Sequence, residues 1–327
     1  MEANKNFRLS YPVWSVTWTG KEIAKLSGEK IVEQLDLMQK IGISELMLTG
    51  YHEEEPANFN MDEETRKVGN LLRERGMKGA QHHSLTSMWT TPGESQKEVV
   101  RRMRKCVDYT ANLNTDVVVF HAMKFLGGTD AGSDIKARLE DAVRKTSEAA
   151  VMETLCSNLH EAGEYAKERG VLIAVENLDG FTPWCNQEYL PRIVNGADSE
   201  AVGFCLDTGH AWCGGYDPAG WVGIMGRKLF TTHVHDNHGR PAESVIEEAK
   251  KNFVSLTLDE HLPPGFGTIS WTAFILELWK HGYNRTLNFE SNGWEGLDKE
   301  EGYRCAVNFW RTCEFLADKK QKKEAVK

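Results

Sequence analysis

Eight short, apolar, β-rich runs recur along this chain, and amphipathic or polar stretches of greater length separate them. The runs lie at about 7–14 (FRLSYPVW), 43–49 (ISELMLT), 78–83 (KGAQHH), 116–121 (DVVVFH), 171–177 (VLIAVEN), 202–208 (VGFCLDT), 230–236 (FTTHVHD) and 286–291 (TLNFES). Strand followed by helix, repeated, implies parallel strands with helical crossovers, because a parallel connection must travel back along the sheet. Between the runs, helices are expected over about 29–41, 62–75, 95–112, 135–169, 271–281 and 299–316. Three junctions read helix–Gly–strand: KIGISEL, ERGVLIA and KHGYNRT. Glycine suits the left-handed residue that commonly ends a helix. Eight units in 327 residues fit an α/β, closed (β/α)8 TIM barrel better than an open sheet. No Pro/Ser-rich linker divides the chain, so residues 1–327 are expected to form one barrel domain with a basic helical tail from about 318.

Composition narrows the function classes. The formal net charge of −9 argues against binding through phosphate neutralisation, which concentrates Lys and Arg. The seven cysteines are odd in number and none has CxxC spacing, so neither a disulfide framework nor a Cys-rich zinc site is expected. No signal-type apolar segment opens the chain, and no apolar run approaches membrane-spanning length. A cytoplasmic enzyme with reduced thiols is the expectation.

Six of the runs end in residues that ligate metals: His82 and His83, His121, Glu176, Asp207, His233 and Glu290. In a barrel the C-terminal ends of all strands converge on one face, where active sites form. Taken singly, a carboxylate at a strand end is more often a helix N-cap, and a lone histidine more often a satisfied core residue. Convergence changes that reading. Glu176, Asp207, His233 and Glu290 offer the carboxylate and imidazole donors that divalent cations take. Three carboxylates brought together would otherwise repel.

Local motifs extend the set. GFCLDTGH at 203–210 places Asp207 and His210 three apart at a strand exit. HVHDN at 233–237 puts His233 and His235 on one face of a regular strand. DEHLPPGFG at 259–267 leads an Asp-x-His pair into a Pro/Gly-rich loop, suited to a second metal, a substrate clamp or a capped turn.

With VEN at 175–177, these phrases resemble the xylose-isomerase-like barrel superfamily, over nearly the whole chain. That superfamily holds sugar isomerases, ketose 3-epimerases, inosose dehydratases and apurinic-site endonucleases. The resemblance implies that Glu176, Asp207, His233 and Glu290 bind one divalent ion, Mn2+ first, with Mg2+, Co2+ or Zn2+ as alternatives. It implies that the two glutamates exchange the substrate proton, that His210 contacts substrate, and that Arg240 is a candidate to do so. It also finds matches for the endonuclease branch's further zinc ligands in His83 (or His82), His121, His210, Asp259 and His261. Against that branch stand the acidic charge, Ala122-Met123-Lys124 after His121 and Ser291-Asn292-Gly293 after Glu290.

The expected chemistry is proton abstraction next to a sugar carbonyl through an enediolate. Return of the proton to the same carbon gives epimerisation, and return to the neighbouring carbon gives isomerisation. Expulsion of a β leaving group makes the enzyme a lyase, with His121, His210 or His235 as acid or base. His83, His235, Arg240, Asp259 and His261 join the substrate-binding candidates. Trp14, Trp18, Trp89, Trp184, Trp212 and Trp294 offer rings for a sugar face or for packing; Trp14 and Trp184 are the preferred contacts. Residues 122–160 exceed the needs of a crossover and suggest a lid or a partner-binding insertion. The partner is a small sugar or sugar derivative rather than nucleic acid or membrane, and a homo-oligomer or an accessory, binding-only subunit is an open alternative.

Overall fold

The computed structural model describes residues 6–14, 16–18, 23–25, 28–49, 60–88, 95–122, 146–178, 184–245, 248, 259–291 and 296–325. Its strands in chain order are β1 (Leu9–Ser10), β2 (Pro12–Trp14), β3 (Val16–Trp18), β4 (Ile23–Lys25), β5 (Glu45–Thr49), β6 (Lys78–Ser87), β7 (Val117–His121), β8 (Leu172–Glu176), β9 (Val202–Asp207), β10 (Leu229–Val234) and β11 (Leu287–Phe289). The main sheet runs β1-β11-β10-β9-β8-β7-β6-β5-β2, with every neighbouring pair parallel. β1 and β2 are one run of chain that pairs on two sides. Leu9 and Ser10 face the last strand, while Pro12 to Trp14 face β5. That shared run closes the ring, so the fold is a (β/α)8 TIM barrel.

Helices α1 (Gly28–Lys40), α2 (Met61–Glu74), α3 (Gln96–Asn112), α4 (Glu148–Glu168), α5 (Leu190–Gly196), α6 (Thr208–Cys213), α7 (Pro218–Met225), α8 (Trp271–Lys280) and α9 (Lys299–Glu324), with a 3-10 turn at Gly226–Lys228, complete the described elements. The glycines of the three helix–Gly–strand junctions, Gly42, Gly170 and Gly282, have φ of 82°, 66° and 71°, the left-handed stop that their sequence context predicted. α9 begins with a capping box between Asp298 and Glu301. The buried Glu314 on α9 accepts from Phe7 N at 2.8 Å, which ties the last helix to the lead-in of the first strand. Among the described residues, no helix is long and apolar enough to cross a membrane.

Four differences from the sequence reading stand out. The third strand runs on to Ser87 rather than ending at 83. A small antiparallel hairpin, β3–β4, follows the first strand. The short helices α5, α6 and α7 fill crossovers where no periodicity was legible. The described part of the helix expected from 135 begins at Glu148, and 123–145, the core of the suggested lid, lies outside the described residues.

Two apolar layers follow from the two-residue period of the strands. Outward residues such as Val118, Phe120, Ile173, Val175, Phe204, Leu206 and Phe289 join the large core beneath the helices. Inward residues Val117, Val119, Ala174 and Cys205 form a separate small cluster in the lumen. The lumen is otherwise polar: Ser10 donates to Asn288 at 2.5 Å, and Asn288 donates to Thr231 at 2.8 Å.

Candidate functional site

The same alternation places the chemistry. Along β7 the inward positions are Val117, Val119 and His121; along β8 they are Leu172, Ala174 and Glu176. Each ends in a titratable group one step above the apolar lumen. Register keeps these ends level, pairing His121 with Glu176 and His233 with Asp207. His83 sits in the equivalent position on β6, opposite Thr49. Its neighbour His82 points the other way and bonds Thr110 of α3 at 2.8 Å. The choice between the two histidines is thus decided by strand parity.

At the centre is Glu176, 1% exposed. One of its oxygens lies 3.1 Å from His233 Nδ1 and 3.4 Å from His210 Nδ1. The other lies 3.0 Å from His121 Nε2 and 3.4 Å from His83 Nε2. Glu290 reaches the same His233 Nδ1 at 2.9 Å. Single donor atoms of His83, Glu176, His233 and Glu290 lie within 4.8 Å of one another, as do those of Glu176, Asp207 and His210. Asp207 is 3.7 Å from His233 Nδ1 and leans toward His235, whose Nε2 is 2.9 Å from it. Asp207 also caps α6, accepting His210 N–H at 2.7 Å. The N-cap reading holds, and the cap leaves Asp207 able to offer an oxygen to the group it forms with Glu176 and His210. Asn177 fixes its backbone by exchanging two bonds of 2.9 Å with it.

A second group stands nearer the mouth. His210, His235, Asp259 and His261 also offer donors within 4.8 Å of one another. Asp259 Oδ2 lies 3.1 Å from His210 Nε2 and 2.9 Å from His261 Nε2. The His235 and His261 rings stack at 4.0 Å. Asp259 and His261 of this group ride on a loop, while His210 lies on α6 and His235 directly follows β10. The Asp236 carboxylate accepts from Gly265 N, Ile269 N and Trp271 Nε1 at 2.8, 3.1 and 2.9 Å, which pins the DEHLPPGFG loop to the end of β10. His261 takes φ of 48°, a costly conformation for a histidine and one that clusters at functional sites. Its Nδ1 is anchored on the Glu290 carbonyl at 2.8 Å. Gly209 leaves room for this packing, since a Cβ there would lie 2.0 Å from His235.

The electrostatics follow from this crowding. Burial alone would raise the Glu176 carboxyl, but the charges of His233 and His121 hold it well below the usual carboxylate range. Glu290 is depressed against the same penalty, chiefly by His233, and Asp259 by His210 and His261. Burial would lower His261, yet Asp259 lifts it to about 9. The Cys205 thiol, buried beneath His233, is pushed up to about 12 and stays neutral.

This cluster could hold a metal ion. Buried Nδ1 atoms of His83, His233 and His235 have no hydrogen-bond partner, an arrangement that is costly for polar nitrogens unless something else engages them. His233 Nδ1 approaches two carboxylates without an aligned hydrogen bond. Mixed carboxylate and imidazole donors suit Mn2+, Mg2+, Co2+ or Zn2+.

A family model described as xylose isomerase-like TIM barrel matches residues 35–313. The chain belongs to that family. Curated relatives include an uncharacterised protein of Sinorhizobium fredii, 27% identical over 195 residues, covering 59% of this chain and 52% of that one. An inosose dehydratase of Geobacillus kaustophilus is 23% identical over 205 residues, covering 63% and 62%. An uncharacterised protein of Methanocaldococcus jannaschii is 29% identical over 150 residues, covering 43% and 44%. The chain thus spans about half the length of the curated relatives it matches. Among solved structures, an L-ribulose 3-epimerase superposes with a TM-score of 0.69 at 15% identity, over 97% of both chains. A 3-keto-D-glucoside 4-epimerase from E. coli gives 0.68 at 15% identity, over 94% and 100%. At these identities the likeness is one of fold.

Within this xylose isomerase-like barrel, the remaining sequence candidates fall as follows. Arg240 pairs with Glu243 at 3.3 Å. Trp184 is buried with φ of 65° and packs on Tyr189 at 4.5 Å. Trp212 donates to Thr268 at 2.8 Å. Trp14 ends β2, but its side chain and that of Trp18, like Trp89 and Trp294, lie outside what is described. Sequence reasoning missed Gln81, Asn177 and Asp236. Gln81 was findable by counting two back from His83, but only once the parity of β6 was known.

Proposed function

We propose that this protein is a divalent-metal-dependent sugar isomerase or epimerase. One observation carries the reading: Glu176 and Glu290, separated by two intervening strands, converge on His233 Nδ1 at 3.1 and 2.9 Å in a buried set of oxygen and nitrogen donors. The family and its epimerase neighbours support a sugar as substrate. Glu176, His233, Glu290 and Asp207 would hold the ion. A divalent cation bound there supplies Lewis-acid polarisation of a carbonyl and offsets negative charge next to it.

The chain's own groups account for the proton movements. Glu176 and Glu290 are ionised at neutral pH, so either can accept a proton from a carbon beside the carbonyl. In this reading one glutamate would act on each face of the substrate. His121 and His210 touch Glu176 and can pass its proton onward. Substrate enters past Glu290, Asp259 and His261, whose side chains are 26%, 20% and 25% exposed. If the substrate carries a leaving group β to the carbonyl, the same proton abstraction leads to elimination, and the enzyme is a lyase like the inosose dehydratase it partly aligns with.

The test is deuterium exchange. Mn2+-loaded protein in heavy water is expected to place deuterium beside the carbonyl of a keto-sugar, and Glu176→Gln and Glu290→Gln to abolish this. Absence of exchange across free and phosphorylated ketoses and 3-keto-glycosides would overturn the reading. The second donor group favours one rival: His83, His121, His210, Asp259 and His261, which the resemblance matches to the further ligands of a three-zinc apurinic-site endonuclease, lie in groups that adjoin the first four. Cleavage of abasic DNA by zinc-loaded protein would select that rival.

A further inference from the structure

Asp259 and His261 sit on a loop, and a buried carboxylate that belongs to neither donor group holds that loop. Asp236 lies just past the end of β10 and is 1% exposed. Its Oδ1 accepts from Asn237 N at 3.0 Å and Ile269 N at 3.1 Å. Its Oδ2 accepts from Gly265 N at 2.8 Å and Trp271 Nε1 at 2.9 Å. N–H groups, not a Lys or Arg, thus satisfy this carboxylate among the described residues. Ile269 and Trp271 flank Ser270, the N-cap of α8, which makes no side-chain cap bond. The carboxylate therefore also stands at the positive end of that helix, where a negative group is favoured.

The strained residue of the rim lies between two clamps. On one side of His261, Leu262 exchanges two backbone bonds with Asp236, of 2.7 and 3.0 Å. On the other side, Glu260 N donates to Asn237 Oδ1 at 2.7 Å. His261 itself takes φ of 48°. A left-handed backbone is costly for a residue with a Cβ and persists only where its surroundings over-determine it. In that conformation the ring meets Asp259 at 2.9 Å and the Glu290 carbonyl at 2.8 Å. Gly267 shows how closely the loop is drawn in: a Cβ there would lie 2.4 Å from Asp236 Oδ1 and 2.4 Å from the Asn237 carbonyl oxygen.

We propose that Asp236 is a positioning residue for the rim. Its carboxylate holds the 262–271 segment against the end of β10, keeps His261 in its left-handed turn, and so presents Asp259 and His261 to the substrate. The part in substrate capture rests on the sugar reading above; the clamp itself does not.

Asp236→Asn tests it. The amide keeps the shape but sets an NH2 against two of the four N–H donors, whichever way it turns. Amide hydrogen exchange, read by mass spectrometry on chelator-treated protein, needs neither ion nor substrate. The expected result is loss of protection in peptides covering 259–271, with β8 and β10 exchanging as in wild type. Unchanged protection in that segment, or equal loss in β8 and β10, overturns the proposal. Where Asp236→Asn does not fold, Gly267→Ala pushes the loop off the same carboxylate and is read in the same way. The second readout is kinetic, on Mn2+-loaded protein with a ketose that wild type exchanges in heavy water. KM is expected to rise by about 10–100-fold while kcat and bound Mn2+ stay as in wild type. An unchanged KM, or joint loss of kcat and Mn2+, overturns the positioning role. If wild type exchanges no ketose, the sugar reading fails, and the amide-exchange result alone decides the clamp.

Discussion

The deep donors and the rim donors are built by different means. Glu176 and His233 ride on strands β8 and β10, fixed by sheet register, and are 1% and 0% exposed. Asp259 and His261 ride on a loop pinned by Asp236, and their side chains are 20% and 25% exposed. The strands give a set whose geometry the barrel dictates. The loop gives a set that sequence changes can retune without touching the sheet, which is the usual division of labour in this architecture. The two share Glu176, Asp207 and His210 as neighbours, so they are coupled without being equivalent.

The comparison can be broken most severely at its deep end. Glu176→Gln removes the negative charge that faces four histidines and replaces one of the two oxygens that meet them with an NH2 group; turnover is expected to fall by about 10^3-fold or more, the scale of a lost acid–base group, with loss of the deep ion. At the rim, Asp259→Asn is expected to weaken substrate or second-ion affinity by about 10–100-fold while leaving the deep ion in place by elemental analysis. Equal loss from both variants would mean that the cluster is one indivisible centre.

A steric test comes next. Gly209→Ala would put a Cβ 2.0 Å from His235. It is expected to destabilise the protein by about 1–3 kcal/mol, the usual cost of overpacking, and to perturb the rim before the deep donors. Denaturant titration together with Mn2+ affinity checks this. The smallest expected effect is one of pH. Asp259 raises His261 to about 9 from an unfolded value of about 6.5. The stability from that pair is fully present below pH 6.5 and is lost as pH rises through about 9. Chelator-treated wild type is expected to lose stability across that window, and His261→Gln to flatten the slope; an unchanged slope would remove the pair from the account.

The same contrast explains what was legible in the sequence. Strand ends were readable because parity and register are local rules. The eight runs and the titratable residues closing six of them led straight to Glu176, Asp207, His233 and Glu290. Asp207 carried two signals at once, a cap for α6 and a donor, and pattern alone does not separate them. His82 and His83 could not be told apart until the outward contact with Thr110 fixed the parity of β6. Helices α5, α6 and α7 span 7, 6 and 8 residues, too short for a periodic signature. Gln81 and Asp236 act through partners distant in sequence, His233 and the 265–271 loop, and no local rule reaches that far.

The most direct measurement is metal content by elemental analysis, on wild type and Glu176→Gln after loading with Mn2+ and dialysis. About one tightly held equivalent in wild type and none in the variant is the result expected from a strand-borne site. Protein that retains no divalent ion in either form, folded and reloaded, would contradict the claim that these strand ends form a metal centre.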